Sequence, residues 1–376
     1  LTAGYTGPLS LEVFNDVFRQ SDPRRAAVDA RRSLLALREA TAPHAGVGTA
    51  HPPATPELHG YAFTGIAVAA GSRTSVAALL DALGFVHTGQ HRSKPVQLWE
   101  QGEARVVLNE SGSDGASVVA LGIETADPPA GAGRAPALLA PPLPQHHGPA
   151  EADLLGVTAP DGTAIFFCHS ATEGVSWLAD FLPTGTNAAA GDVTHVDHVA
   201  LTQPYDNFDE AALFYRSLLG LQTQHASEIA APFGLVRNRA ISDRGLTVRV
   251  CLSVSALRRG NWAPGVADPQ HIAFACPDVL ALARRARAAG APLLDVPANY
   301  YDDLDARLAP ADIDELRALG VLYDRDADGE FRHFYTYVLG GRVFFEAVQR
   351  TGGYAGYGEV NGPVRMAAHR RARLSG

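Results

Sequence analysis

The sequence predicts an α+β protein of tandem βαβββ modules that form two half-barrel domains, preceded by a single βα unit. Three observations carry this expectation. Strand-like apolar runs alternate with helical stretches along most of the chain. The run DGTAIFFC at 161–168 has a counterpart in GGRVFFE at 340–346, the mark of an internal repeat. Breaks rich in Pro, Gly and Ala divide the chain between these segments.

Residues 1–40 open with a short strand-like run, PLSLEVF, and continue into a helix from about Asp22 to Glu39, with Ala27, Leu34 and Leu35 near helical spacing. One βα unit is too small to bury a core alone, so its apolar face is expected to dock on the main body or on a partner chain. Residues 41–58, rich in Pro, Ala and Thr, form a linker. The first half, 59–182, contains a Pro-rich break at 126–149, where His146 and His147 should face solvent. A Gly/Ala/Asn break at 183–192 separates the halves. The second half, 193–352, should contain strand 195–202, helix 208–219 and strands 233–241 and 246–254. Strand 270–276, helix 278–289 and strands 333–339 and 342–349 complete it. In the tail, 353–376, the basic run HRRAR at 369–373 reads as a solvated helix face without a role.

With 376 residues, 46% of them hydrophobic and 19% charged, the chain should be globular and soluble. The net charge of −9, from 31 basic and 40 acidic residues, disfavours nucleic acid and anionic membrane. A small-molecule partner is expected, with room for a homo-oligomer. Cys168, Cys251 and Cys276 are odd in number, far apart and set in apolar runs, which suits buried thiols in a reducing cytoplasm. The chain shows no signal-like leader and no run of membrane-spanning length. It begins with Leu rather than Met, so a fragment or processed chain is expected.

The chemistry rests on one charge in apolar company. Glu346 lies in RVFFEAVQR, where an unpaired carboxylate would be costly to bury. Two other strand-like runs carry histidines in similar surroundings, His198 in THVDHVAL and His271 in PQHIAFAC. Two imidazoles and a carboxylate are the ligands of a facial triad, which holds a divalent metal and leaves positions open. Iron(II) is the favoured metal, with Mg, Mn or Co as alternatives. His195 and His198 are three apart and so face opposite sides of a regular strand. His198 is preferred, since Val196 and Ala200 would share its concave face. Aligning the halves places Gly65 against His198, Ala120 against His271 and Cys168 against Glu346. The first half is therefore expected to be metal-free.

These motifs, with YYDDLDAR at 300–307, LGVLYDRDADGEF at 319–331 and GYGEVN at 356–361, resemble the C-terminal half of 4-hydroxyphenylpyruvate dioxygenase, in the vicinal-oxygen-chelate superfamily. The resemblance implies His198, His271 and Glu346 as metal ligands and a 2-oxo acid chelating iron through two oxygens. It also implies a substrate pocket including Ser253, His333, Tyr357 and Asn361. Ser253 stands where the family has Asn, His333 where it has Gln, and Gly362 where it has Phe, so metal binding is better supported than the hydroxyphenylpyruvate substrate. Tyr300, Tyr301 and Asp302 have a plain reading as packing and capping residues.

A second resemblance covers the ends. GYTGPLSLEVFNDVFRQSDPRRAAVDARRSLL at 4–35 is similar to the last βα unit of a xylose-isomerase-like TIM barrel, and GYGEVNGPVRMAAH at 356–369 to the end of two-domain 3-dehydroshikimate dehydratases. It implies a barrel metal ligand at Glu12, which cannot form a site alone. Three classes follow. The main expectation is a non-haem iron oxygenase acting on a 2-oxo acid or related chelating substrate. The alternatives are a supportive C-terminal part of a two-domain 3-dehydroshikimate dehydratase and a metal-stabilised structural module.

Overall fold

The computed structural model describes residues 7–14, 21–41, 52–111, 115–144, 147–149, 151–170, 176–188, 191–231, 234–256 and 269–375. After α1 (Pro23–Thr41), the first half runs β1 (Tyr61–Val68), α2 (Ala70–Ala82), β2 (Val86–His91), β3 (Val96–Gln101) and β4 (Ala104–Asn109). It continues with β5 (Ala116–Glu124), α3 (Pro128–Ala137), β6 (Gly156–Thr158), β7 (Ala164–Cys168) and β8 (Phe181–Pro183). The second half runs β9 (His195–Thr202), α4 (Phe208–Leu219), β10 (Gln222–Ala231), β11 (Gly234–Ser242) and β12 (Arg249–Ala256). Then come β13 (Gln270–Ala275), α5 (Val279–Ala288), α6 (Ala298–Leu308), α7 (Ile313–Leu319), β14 (Leu322–Arg325), β15 (Gly329–Tyr335), β16 (Val343–Gly352) and α8 (Gly362–Ser375).

Each half makes one eight-stranded mixed sheet, in the orders β6-β7-β5-β1-β4-β3-β2-β8 and β10-β11-β12-β9-β13-β16-β15-β14. In both, the first strands of two modules pair antiparallel at the centre, β1 with β5 and β9 with β13. Each is flanked by the last strand of its own module, running parallel, as a helical crossover requires. The α+β class and the tandem modules are as the sequence predicts. Local signals set the element ends: Asp278 caps α5 by accepting from Ala281 N at 2.9 Å, and Gly220, at φ 71°, closes α4.

Four details differ from the expectation. The second module of the first half has only β6 and β7 after its helix, and β8 joins the opposite edge beside β2. The Pro-rich break holds α3, entered through Asp127, which accepts from Ala130 N, with Pro at the first helical positions where no backbone donor is needed. Strands β10 and β14 and helices α6 and α7 are additional. Residues 8–14, PLSLEVF, are exposed and form no strand, because no described strand edge pairs with them.

Helix α1 does dock on the body, but through charge as much as apolar surface. Arg32 is 2% exposed, donates from Nε to Leu138 O at 3.0 Å and lies 5.4 Å from the Phe214 ring centre in α4. Arg25 pairs with Glu210 at 2.7 Å.

The halves share one core. Phe85 meets Phe274 at 4.8 Å, and Val118 N donates to Gln270 Oε1 at 3.1 Å. At Gly115, φ 62°, an added Cβ would stand 2.0 Å from Gly340 O, so glycine is needed where the two backbones cross.

Candidate metal centre

A bulge prepares the first donor. Along β9, His198 pairs with Ala273 and Val196 with Phe274, leaving Asp197 as the extra residue. Asp197 and His198 are both 2% exposed. The bulge also breaks the alternation on which the grouping of Val196 with His198 relied: Val196 joins the main core, whereas Ala200 and Thr202 line a cavity with His198. His195 is exposed.

Ala273 then acts as a spacer. It lies between His198 on β9 and Glu346 on β16, in register with both. His271 is two residues earlier on β13 and so projects from the same face as Ala273. A larger side chain at Ala273, which is fully buried, would occupy the space the three donors share.

His198 Nε2 lies 3.3 Å from Glu346 Oε2, His271 Nε2 lies 3.1 Å from the same oxygen, and the two Nε2 atoms are 3.3 Å apart. Three donors bound at right angles with bonds of about 2.1 Å would stand about 3 Å apart. The residues therefore fit a first-row divalent ion, and among the described residues they are the one cluster of this kind.

Each donor has its own support. His198 Nδ1 is 2.7 Å from Asp197 Oδ1, an arrangement in which Nδ1–H donates and the Nε2 lone pair faces the centre. Asp197 also accepts from Arg249 Nη1 at 3.1 Å and from Arg350 Nε and Nη2 at 2.8 and 2.9 Å. On the far side, Glu346 Oε1 is 2.7 Å from His333 Nδ1, and His333 Nε2 is 3.0 Å from Asn361 Nδ2. Asn361 Oδ1 accepts from the Tyr300 hydroxyl at 3.0 Å. This chain of contacts orients Glu346 so that Oε2 points at the two histidines.

Burial acts against every charge here, and partners decide the outcome. In the metal-free protein, where the histidine Nε2 atoms can carry protons, Glu346 would be raised by burial, yet hydrogen bonds from His198, His271 and His333 hold it well below the usual carboxylate range. Burial likewise opposes charge on His198, but Asp197 and Glu346 outweigh it and raise its pKa. His271 has Glu346 but no second carboxylate, and burial takes it down to about 4. Asp197, held by His198 and Arg350, lies well below its normal value despite burial.

A cavity of about 130 Å³ opens from the three donors toward α8. Ser253, Tyr357 and Gly362 line it. His333 and Asn361 do not: His333 shares its strand face with the cavity-lining Tyr335 but is fully buried, bonded to Glu346 and covered by Phe331 and Asn361. Tyr300 and Tyr301 are packing residues, 4% and 1% exposed, and Asp302 pairs with Arg317. His147 is exposed, and His146 lies outside the described residues. Glu12 sits on the exposed stretch without a strand, apart from the cavity lining.

The tail corrects the expectation of a solvated face. His369 is 3% exposed, its Nε2 lies 3.0 Å from Thr336 O, and with Arg365 and Arg373 it lines the cavity. The signal was present in the sequence: Arg365, His369 and Arg373 recur every fourth residue and share one helix face.

In the first half the corresponding space is filled by rings. Phe63 lies 4.9 Å from Trp177 and 6.0 Å from Phe166, with Cys168 buried beside them. The proposed alignment needs correcting here. Gly65 and Ala120 are direct partners, whereas His198 faces Ala273 and His271 faces Ala200. The two equivalences cannot both hold.

Paired sheets of this order, with cavity-facing donors on the central strands, define the vicinal-oxygen-chelate class. Comparison with known families agrees. Residues 55–131 match the family described as Hydroxyphenylpyruvate dioxygenase, HPPD, N-terminal, and residues 195–312 match the Glyoxalase/Bleomycin resistance protein/Dioxygenase superfamily. The chain thus carries domains of the glyoxalase and dioxygenase type. It is 38% identical to a 3-dehydroshikimate dehydratase of Pseudomonas putida, over 99% of this chain and 63% of that protein. It is 25% identical to a 4-hydroxyphenylpyruvate dioxygenase of Pseudomonas aeruginosa, over 75% of this chain and 85% of that protein. A solved xylose isomerase-like TIM barrel/4-hydroxyphenylpyruvate dioxygenase fusion protein superposes with a TM-score of 0.84 at 36% identity, covering 98% of this chain and 63% of that one. The chain spans about two thirds or less of the length of these dehydratase and fusion relatives.

Proposed function

We propose that this chain is the dioxygenase-like portion of a 3-dehydroshikimate dehydratase, binding a divalent metal through His198, His271 and Glu346 and supporting a dehydration performed elsewhere in the protein. The observation that carries this reading is the reach of the similarity: the dehydratase relative matches along nearly the whole chain, the dioxygenase along three quarters at lower identity. Iron(II) is the metal we favour, with Mg, Mn or Co as alternatives.

A metal bound there would supply open Lewis-acidic positions for two adjacent oxygens of a small molecule. The protein's own residues do the rest. Asp197 keeps the His198 proton on Nδ1, His333 and Asn361 fix the Glu346 carboxylate, and Arg350 and Arg249 balance Asp197. Ile229, Val236 and Met366 give the cavity an apolar wall that limits water. Buried thiols at Cys168 and Cys276 fit a cytoplasmic protein, and among the described residues no helix is long and apolar enough to cross a membrane.

A second reading, oxygenase chemistry on a 2-oxo acid, is favoured by the cavity that adjoins the triad. The two readings separate in one experiment. The iron-loaded chain is assayed for oxygen uptake with 4-hydroxyphenylpyruvate, and for dehydration of 3-dehydroshikimate alone and when joined to the barrel segment of its relatives. The account expects metal binding without brisk uptake, and dehydration in the joined form. Brisk uptake abolished by Glu346→Ala would establish the oxygenase instead.

A further inference from the structure

The cavity beside the three donors contains a cation, Arg365, with no ion-pair partner among the described residues. Arg365 lies on α8, and its guanidinium carbon is 5.4 Å from the ring centre of Phe344 and 5.6 Å from that of Tyr335. Phe344 in turn packs on His271 with ring centres 4.7 Å apart. Arg249 and Arg350, on the other side of the centre, both form ion pairs with Asp197. Among the described residues no carboxylate pairs with Arg365, which is half-buried. A guanidinium partly removed from water and held over two rings is poised for an anion.

Other groups around the same cavity are also unspent. The Tyr357 hydroxyl and the Ser227 hydroxyl are buried without a hydrogen-bond partner. His369, whose Nε2 contacts Thr336 O and so carries the proton, leaves a buried, unpartnered Nδ1 acceptor. Buried polar groups are rarely left unpaired in native proteins, so this concentration points to a polar occupant.

We propose that Arg365 anchors a carboxylate of the bound small molecule, at a point removed from the two adjacent oxygens that would face His198, His271 and Glu346. The ligand class is a compact acid with its carboxylate at one end and a vicinal pair of oxygens at the other. A 2-oxo acid places its carboxylate within the chelating pair and leaves Arg365 unmatched. 3-Dehydroshikimate, a ring carboxylate with neighbouring oxo and hydroxyl groups, belongs to the class. The proposal rests on the metal-site reading above.

The test is calorimetric titration of the manganese(II)-loaded protein with 3,4-dihydroxybenzoate, catechol and benzoate, using wild type, Arg365→Gln and Arg365→Lys. Wild type should bind 3,4-dihydroxybenzoate roughly ten- to hundredfold more tightly than catechol, the usual range for a hydrogen bond to a charged group. Arg365→Gln should remove that preference at unchanged manganese content, and Arg365→Lys should retain part of it. An equal preference in Arg365→Gln and wild type would overturn the proposal. Failure to take up manganese would sink the metal-site reading while leaving Arg365 tested, because benzoate requires only the cation. Benzoate bound by wild type and not by Arg365→Gln sustains the anchor. Equal binding, or binding by neither, overturns it.

Discussion

The two halves share a strand order at their centres but fill the concave side of that centre differently. The second half places two imidazoles and a carboxylate around Ala273, and the first packs Phe63, Phe166 and Trp177 beside Cys168. The difference teaches how one scaffold accommodates both. Charge at the centre needs a second layer, here Asp197, His333 and Asn361, whereas rings need only volume.

The largest expected effect comes from removing the charge. Glu346→Ala should abolish metal binding and, by leaving three imidazoles, two of them buried, without their common acceptor, cost the metal-free protein about 3 kcal/mol or more. Metal analysis and urea unfolding check both. Retained metal would break the comparison at its strongest point. Removing volume from the other half should act on stability alone: Phe63→Ala should cost about 3–5 kcal/mol while metal content stays at the wild-type level. Loss of metal in that variant would mean that the halves are not separable.

Two smaller effects sharpen the account of the supporting layer. Asp197→Asn should weaken metal affinity about ten- to hundredfold, as expected when the group orienting a ligating imidazole is altered. A competition titration with a chelator reads it. The last effect is acid sensitivity in the metal-free protein. His369 is lowered by burial to about 3. Below the usual histidine range the unfolded chain takes up a proton that the folded His369 refuses, so stability falls as pH drops from about 6.5 toward 3. His369→Gln should make this limb shallower by up to about 1.4 kcal/mol per pH unit. His198, raised by Asp197 and Glu346, acts in the opposite sense, adding stability below about 6.5 that is lost as pH rises.

What could be read from the chain follows from what strands make visible. Glu346 stood out because FFEAV is otherwise apolar, and His198 and His271 because similar runs surround them. Asp197 was hidden because a bulge is a matter of register, and residue order alone treats it as an outward position. His333 was misplaced because it shares a strand face with the cavity-lining Tyr335, and only the packing of Phe331 and Asn361 over it closes it off. Strand β10, QTQHASEIAA, is an edge strand with mostly exposed side chains and so has no apolar alternation to announce it. Helices α6 and α7 lie between α5 and β14, in residues 290–332, to which the repeat assigned no element. Arg365 and His369 were legible as a four-residue spacing, but only the packing of α8 over the cavity gives that face a target.

The central claim is that one half holds a metal and the other does not. Anomalous diffraction from crystals of protein purified without chelator tests it most directly. A single strong peak is expected between His198 Nε2, His271 Nε2 and Glu346 Oε2, and none among Phe63, Trp177 and Cys168. A peak beside Cys168, or an empty triad in metal-supplemented crystals, would contradict it.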